Sequence, residues 1–208
     1  MFVDHTLQAV NLSCIRGQHL LFADLSFTLK KGEALLIEGP NGSGKSSLLR
    51  LLAGFLTPFH GDILWQQQSI HTLGINYSQH IAYVGHHHGL KLGLTVNENL
   101  LLAKHLALSK KLSQELLSLL QLQHHAHKQT CQLSAGQKRK LALAKLFMSN
   151  KPLWLIDEPF TALDATTQTL FLSQLEKHLK VGGLCILSSH HPMTFNETKI
   201  HSLRLGPC

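Results

Sequence analysis

The sequence has no run of the ~18–20 apolar residues that a membrane-spanning helix needs. Its first residues, Met1-Phe2-Val3-Asp4-His5, lack the basic segment followed by an apolar one that marks a secretory leader. A soluble protein that stays in the cytosol is expected. Cysteine is sparse: Cys14, Cys131, Cys185 and Cys208 show neither CxxC nor zinc-ligand spacing, which argues for free thiols in a reducing compartment rather than a disulfide framework. There is no internal repeat, no low-complexity linker and no long basic run. The last absence matters because the formal net charge is +7. With Lys and Arg dispersed along the chain, that charge alone marks neither a nucleic-acid surface nor a membrane surface.

What is present suffices for one substantial domain, or a core with a subdomain: 208 residues, 44% of them hydrophobic. One continuous unit over residues 1–208 is expected. Histidine is abundant, with sixteen residues that include His86-His87-His88 and His124-His125-His127. Such tracts can bind metal. Neither has Cys or carboxylate partners at ligand spacing, so both are read as exposed loop histidines.

The first forty residues alternate apolar and polar positions, as in Thr6-Leu7-Gln8-Ala9-Val10-Asn11-Leu12, with turns at Arg16-Gly17-Gln18 and Lys30-Lys31-Gly32-Glu33. Antiparallel strands follow from that period of two. Ala34-Leu35-Leu36-Ile37 is a continuous apolar run, as in a strand buried on both faces of a parallel sheet. After it, Leu48, Leu49, Leu51 and Leu52 recur at helical spacing until Gly54 and Pro58 intervene. Asp62–Trp65 and Ile81–Val84 read as further strands. Val96–Leu122 reads as helical with a joint at Ser109-Lys110-Lys111, so a helical subdomain is expected over about 87–150. Then come a helix near Gly136–Met148, a strand Leu153–Ile156, a helix Ala165–Lys180 and a strand Leu184–Leu187. The alternation implies an α/β fold with a parallel sheet and right-handed crossovers.

Between the first buried strand and the first helix lies Gly39-Pro40-Asn41-Gly42-Ser43-Gly44-Lys45-Ser46, followed by Ser47. It fits GxxxxGK[ST]. Glycines allow positive φ and close approach, so successive backbone N–H groups can wrap phosphate oxygens. Lys45 is suited to reach the β and γ phosphates of a nucleoside triphosphate, and the Ser46 hydroxyl to ligate Mg²⁺ at a helix N-terminus. Leu153-Trp154-Leu155-Ile156 then ends in Asp157-Glu158. Alone, that pair could be a solvated strand terminus. With the glycine loop upstream, Asp157 is suited to the Mg²⁺ shell and Glu158 to take a proton from an attacking water.

Leu133-Ser134-Ala135-Gly136-Gln137, between these two motifs, closely resembles the LSGGQ signature of ABC ATPases, with Ala135 for the usual first glycine. The resemblance implies a P-loop ABC ATPase fold: a mixed sheet core, an antiparallel β subdomain and a helical signature subdomain. It also implies that Ser134, Gly136 and Gln137 meet the γ-phosphate of ATP held by a second copy of the chain. Thr161-Ala162-Leu163-Asp164 resembles the D-loop, and Ser188-Ser189-His190 the switch segment whose His contacts the γ-phosphate. Two positions depart from the family. Tyr83-Val84-Gly85-His86-His87 stands where a glutamine usually follows, leaving its role to His86 or His87. Ile15-Arg16 replaces the aromatic that stacks on adenine, where the Arg16 guanidinium could stack instead.

Gly61–Trp65, Tyr83–Lys91, Leu94–Leu100, Trp154 and Ser188–Pro192 resemble the ATP-binding subunits that serve cytochrome c maturation. That resemblance implies a homodimer of the chain, an integral membrane permease subunit and other cytochrome c maturation proteins as partners, with no nucleic acid. It implies a peripheral position on the cytoplasmic side of the bacterial inner membrane. The alternatives are the ATPase of another ABC importer or exporter, a nucleic-acid-handling ABC ATPase, for which a second cassette or coiled-coil insert would be needed, and an adaptor that does not hydrolyse.

Overall fold

The computed structural model describes residues 5–107, 113–189 and 200–206. The N-terminal alternation produces β1 (Thr6–Arg16) and β2 (His19–Lys30), followed by β3 (Ala34–Glu38) and α1 (Lys45–Leu52). Next come β4 (His60–Trp65), β5 (Gln68–Ser69), the short α2 (Ile70–Leu73) and α3 (Ile75–Ser78), and β6 (Ile81–Val84). The middle of the chain is helical, with α4 (Val96–Ala107), α5 (Ser113–Leu119) and α6 (Ala135–Met148). Finally, β7 (Leu153–Ile156), α7 (Ala165–Lys180), β8 (Leu184–Ser189) and β9 (Ile200–Arg204) alternate. The expected joint at Ser109-Lys110-Lys111 lies outside the described residues.

The chain divides into two compact units. One comprises Met1–Tyr83, Pro152–Pro159 and Leu175–Cys208; the other comprises Val84–Lys151 and Phe160–Gln174.

In the first unit, β1 pairs antiparallel with β2 from Thr6↔Lys30 to Arg16↔His19, and with β4 on its other edge. The resulting sheet has the order β2-β1-β4-β5. A second sheet has the order β6-β7-β8-β3-β9, with β3 parallel to both β8 and β9. Residues 34–37 of β3 and all of β7 and β8 are buried, as their unbroken apolar runs require. Leu48, Leu49, Leu51 and Leu52 of α1 are fully buried beneath this sheet. The Tyr77 hydroxyl donates to the Leu52 carbonyl at 2.6 Å, fastening α3 to the end of α1.

The sequence reading did not anticipate β9. Ile200-His201-Ser202-Leu203-Arg204 is mostly polar and half exposed because it forms a sheet edge, where the inner face alone must be apolar. Its backbone continues into Leu205, whose N–H donates to the Glu38 carbonyl at 2.8 Å.

The second unit is tied together by polar groups as well as by leucines. Thr95 and Glu98 cap α4 reciprocally: the Thr95 N–H donates to Glu98 Oε2 at 2.7 Å and the Glu98 N–H to Thr95 Oγ1 at 3.2 Å. Asn99, fully buried, accepts from the Lys91 N–H and donates to the Lys91 carbonyl and the Thr130 hydroxyl. Phe171 packs against Phe147, its ring tilted 33° with centroids 6.4 Å apart, and against Phe160 in a T-shaped pair at 5.3 Å.

Candidate nucleotide-binding site

The glycine loop follows β3 and ends as the cap of α1. Gly39, Gly42 and Gly44 have φ of 151°, 85° and 95°, a region that side chains rarely adopt. Gly39 also has no room for a side chain, since a Cβ there would meet the Leu205 carbonyl oxygen and lie 2.7 Å from Ser43 Oγ. At Gly42, by contrast, nothing lies within 4 Å of a Cβ position, so its backbone is open to close approach by a ligand. Lys45 is buried and donates from Nζ to the Gly39 carbonyl at 2.7 Å and the Pro40 carbonyl at 2.9 Å. The ammonium group thus sits over the loop it follows. Ser43 Oγ is buried with no hydrogen-bond partner among the described residues, and a phosphate oxygen would satisfy such a hydroxyl. A cavity of about 190 Å³ opens here, lined by Leu21, Asn41, Gly42, Lys45, Ser46 and Glu158 among others.

Asp157 and Glu158 leave the end of β7 in fixed positions. The fully buried Ser188 of β8 donates its hydroxyl proton to Asp157 Oδ1 at 2.6 Å and accepts the Glu158 N–H at 2.9 Å. Glu158 has φ 48°, a left-handed conformation costing about 1–3 kcal/mol in a residue with a side chain. Its bond to Ser188 helps hold that strain and keeps Glu158 on the cavity wall. Burial raises the Tyr83 phenol above its ordinary pKa; the Arg50 guanidinium bonded to it works in the opposite direction, and the nearby Asp157 charge raises it further.

In the second unit, Ser134 caps α6 in a capping box: the Gln137 N–H donates to Ser134 Oγ at 3.2 Å and the Ser134 N–H to Gln137 Oε1 at 2.9 Å. Gly136 packs so closely on the backbone of the loop before α7 that a Cβ would sit 2.8 Å from the Ala162 carbonyl oxygen. The same loop is held by charge. Asp164 pairs with Lys140 of α6 at 2.6 Å and accepts from the Thr167 N–H at 2.8 Å. The Lys140 bond, followed by the Thr167 bonds, lowers the Asp164 carboxyl pKa to about 2.

The residues singled out in the sequence therefore fall into two groups. Gly39–Ser47, Asp157 and Glu158 assemble in the first unit, and Ser134, Gly136, Gln137 and Asp164 in the second. His190 lies outside the described residues. Arg16 is exposed at the end of β1 and does not line the cavity, whereas Leu21 does. His86 and His87 are exposed, with ring centroids 6.0 Å apart.

The expectation that both histidine tracts are simply exposed needs correction. His88 is half-buried with Nδ1 3.3 Å from Arg139 Nη1; burial and then the Arg139 cation lower its pKa. His125 is half-buried, 2.8 Å from the amide nitrogen of Gln137. Sequence reasoning also missed the bridging role of Ser188 and the Lys140 partner of Asp164. Ser188 carried a signal, a hydroxyl within an apolar strand; Lys140 carried none.

The family model described as "ABC transporter" matches residues 22–161, a span that takes in the phosphate loop, the signature and Asp157-Glu158. The chain belongs to the ABC transporter family. Like other ABC members it carries an ATP-binding, ATP-hydrolysing domain, and its fold is the P-loop ABC ATPase fold expected from the sequence. It is 40% identical over 203 residues to the "Cytochrome c biogenesis ATP-binding export protein CcmA" of Dechloromonas aromatica (strain RCB), covering 96% of this chain and 100% of that one. The protein of the same name from Escherichia coli (strain K12) is 40% identical over 199 residues, with 96% of each chain covered. Among solved structures, an "ATP binding subunit of ABC transporter" superposes with a TM-score of 0.80 at 27% identity, over 88% of this chain and 79% of that one. No helix among the described residues is long and apolar enough to cross a membrane.

Proposed function

We propose that this ABC ATPase energises a membrane complex in c-type cytochrome biogenesis, either delivering haem or releasing a haem-loaded chaperone, as a haem-transporting translocase. The ATPase part rests on one observation: Glu158 faces the Lys45 loop across a single cavity, with its backbone and the neighbouring Asp157 both held by Ser188. The cytochrome part is supported by 40% identity over nearly the whole chain to proteins named for that process.

In this reading residues 1–208 act as one nucleotide-binding domain whose helical subdomain spans about 87–150. The N–H groups of Gly39–Ser47 and the Lys45 ammonium bind the phosphates, and Leu21 and Arg16 flank the base. The hard oxygens of Ser46 and Asp157 suit Mg²⁺, which would offset phosphate charge. Glu158 takes the proton of the attacking water, with His190 toward the γ-phosphate and His86 or His87 in the usual glutamine role. Ser134, Gly136, Gln137 and Asp164 come from a second copy, so each chain holds half of two sites. A closed dimer that binds ATP better than the open one can move an attached permease, because a ligand shifts an equilibrium by its preference between states. That permease and other cytochrome c maturation proteins are the partners, at the cytoplasmic face of the inner membrane.

The test combines a pull-down from bacterial membranes with Glu158→Gln. Wild type should bring down an integral membrane subunit and cytochrome c maturation proteins, and Glu158→Gln should retain ATP binding while losing about 10²–10⁴-fold in turnover. Full turnover without Glu158 would remove it as the base. Capture of a permease for an unrelated solute would favour another transporter.

A further inference from the structure

We infer that His125 is a positioning residue for the signature turn, acting through Gln137; the inference rests on the dimeric ATPase reading above. The capping box fixes the orientation of the Gln137 amide. Oε1 must face the Ser134 N–H that it accepts from at 2.9 Å, so the NH₂ end faces His125 Nε2 at 2.8 Å. A nitrogen that accepts this bond carries no proton, which puts the imidazole proton on Nδ1. Three bonds then run in sequence: the Gln137 backbone N–H to Ser134 Oγ, the Ser134 N–H to Gln137 Oε1, and Gln137 Nε2 to His125 Nε2. Ser134 Oγ accepts the Gln137 N–H inward, and its own proton remains to be donated outward from an exposed position.

The ring is rigidly mounted. His125 ends a turn of 3₁₀ helix, Gln123–His125, between the buried Leu122 and Ala126. The backbone on its far side is anchored to the start of α4, where the Asn97 N–H donates to the Ala126 carbonyl at 3.0 Å and the Val96 N–H to the Lys128 carbonyl at 3.1 Å. A histidine is also costly here: Nδ1 is buried and has no hydrogen-bond partner among the described residues, a penalty that an apolar residue would avoid. Packing alone therefore does not call for an imidazole. The acceptor at Nε2 is what it supplies, and the group that receives it belongs to the signature.

The experiment uses the full chain with Glu158→Gln, which should dimerise on adding ATP. Adding His125→Leu is expected to leave ATP binding by the isolated chain unchanged, because the Lys45 loop is intact, and to weaken ATP-driven dimerisation about five- to tenfold, as loss of one positioned hydrogen bond does. His125→Gln, which returns an acceptor at similar reach, should recover most of that loss. Amide hydrogen exchange at Ser134 should quicken in His125→Leu and return toward normal in His125→Gln. Equal dimerisation and equal Ser134 exchange in all three chains would overturn the inference. If the Glu158→Gln chain does not dimerise with ATP, the dimeric reading fails instead, and Ser134 exchange still decides whether His125 holds the turn.

Discussion

Replacing Ser188 by alanine removes a single hydroxyl on which both carboxylate residues of the site depend. That oxygen donates to Asp157 at 2.6 Å and accepts from the Glu158 N–H at 2.9 Å, in a position with no exposure to solvent. A hydrogen bond to a charged group contributes about 1.5–3 kcal/mol and a neutral one about 0.5–1.5, so loss of both should cost about 2–4.5 kcal/mol. Backbone pairing of β8 with Ile37 is untouched by the change, and alanine fits wherever serine did. In urea, where a chain of this size loses about 2–3 kcal/mol per molar, the unfolding midpoint should fall by about 1–2 M with an unchanged slope. Turnover should fall further than stability implies. Glu158, released from the bond that helps hold it at φ 48°, can relax and carry its carboxylate out of line. Circular dichroism and phosphate release measure the two effects. A midpoint shift below about 0.3 M with normal turnover would refute the view that Ser188 organises the catalytic edge.

Gly183→Ala should destabilise the chain by about 1–3 kcal/mol, because a Cβ there would overlap the ring of His178, which is stacked 3.9 Å from Trp154; a melting temperature lower by several degrees would show it. Gly136→Ala should destabilise the chain by about 1–2 kcal/mol, since a Cβ 2.8 Å from the Ala162 carbonyl oxygen forces the backbone to shift and the helical preference for alanine offsets only part of that. It should lower ATPase activity at least about fivefold by displacing the loop before α7, measured on the complex with its membrane partner. Lys140→Met should raise the Asp164 pKa from about 2 toward its ordinary 3.8, read by carboxyl-carbon NMR. A depressed carboxylate stabilises above its unfolded pKa and loses that contribution as pH falls through its folded one. The wild-type contribution therefore fades between about pH 4 and pH 2, whereas the variant, left with the Thr167 bonds alone, should have less to lose there.

The elements with strong periodicity or unbroken apolar runs could be read directly from the chain, and they include those that carry the phosphate loop and Asp157-Glu158: β3, α1, β7 and β8. The apolar residues of these strands are buried on both faces and the leucines of α1 on one, so composition and structure have little freedom to diverge. What escaped notice depended on partners distant in sequence. β9 is polar because it forms an edge, and only pairing with β3 makes it a strand. His125 stands in a run of histidines that looked uniformly solvent-facing, yet one of them meets Gln137. Lys140 resembles any other lysine of the helix until Asp164 arrives beside it.

The position of β3 also has consequences for how the protein is made. The strand that leads into the phosphate loop has β8 and β9 as its two neighbours, and both belong to the final stretch of the chain. As the ribosome proceeds, Ala34-Leu35-Leu36-Ile37 emerges early and then waits, apolar and without a sheet to join, until residues 184–204 have been synthesised. Pairings so remote in sequence form slowly, and an unpaired apolar strand invites association with other nascent chains in the interval. Biogenesis of this ATPase should thus depend on chaperone occupancy of its N-terminal third, and slowing translation should lower the yield of folded protein rather than raise it.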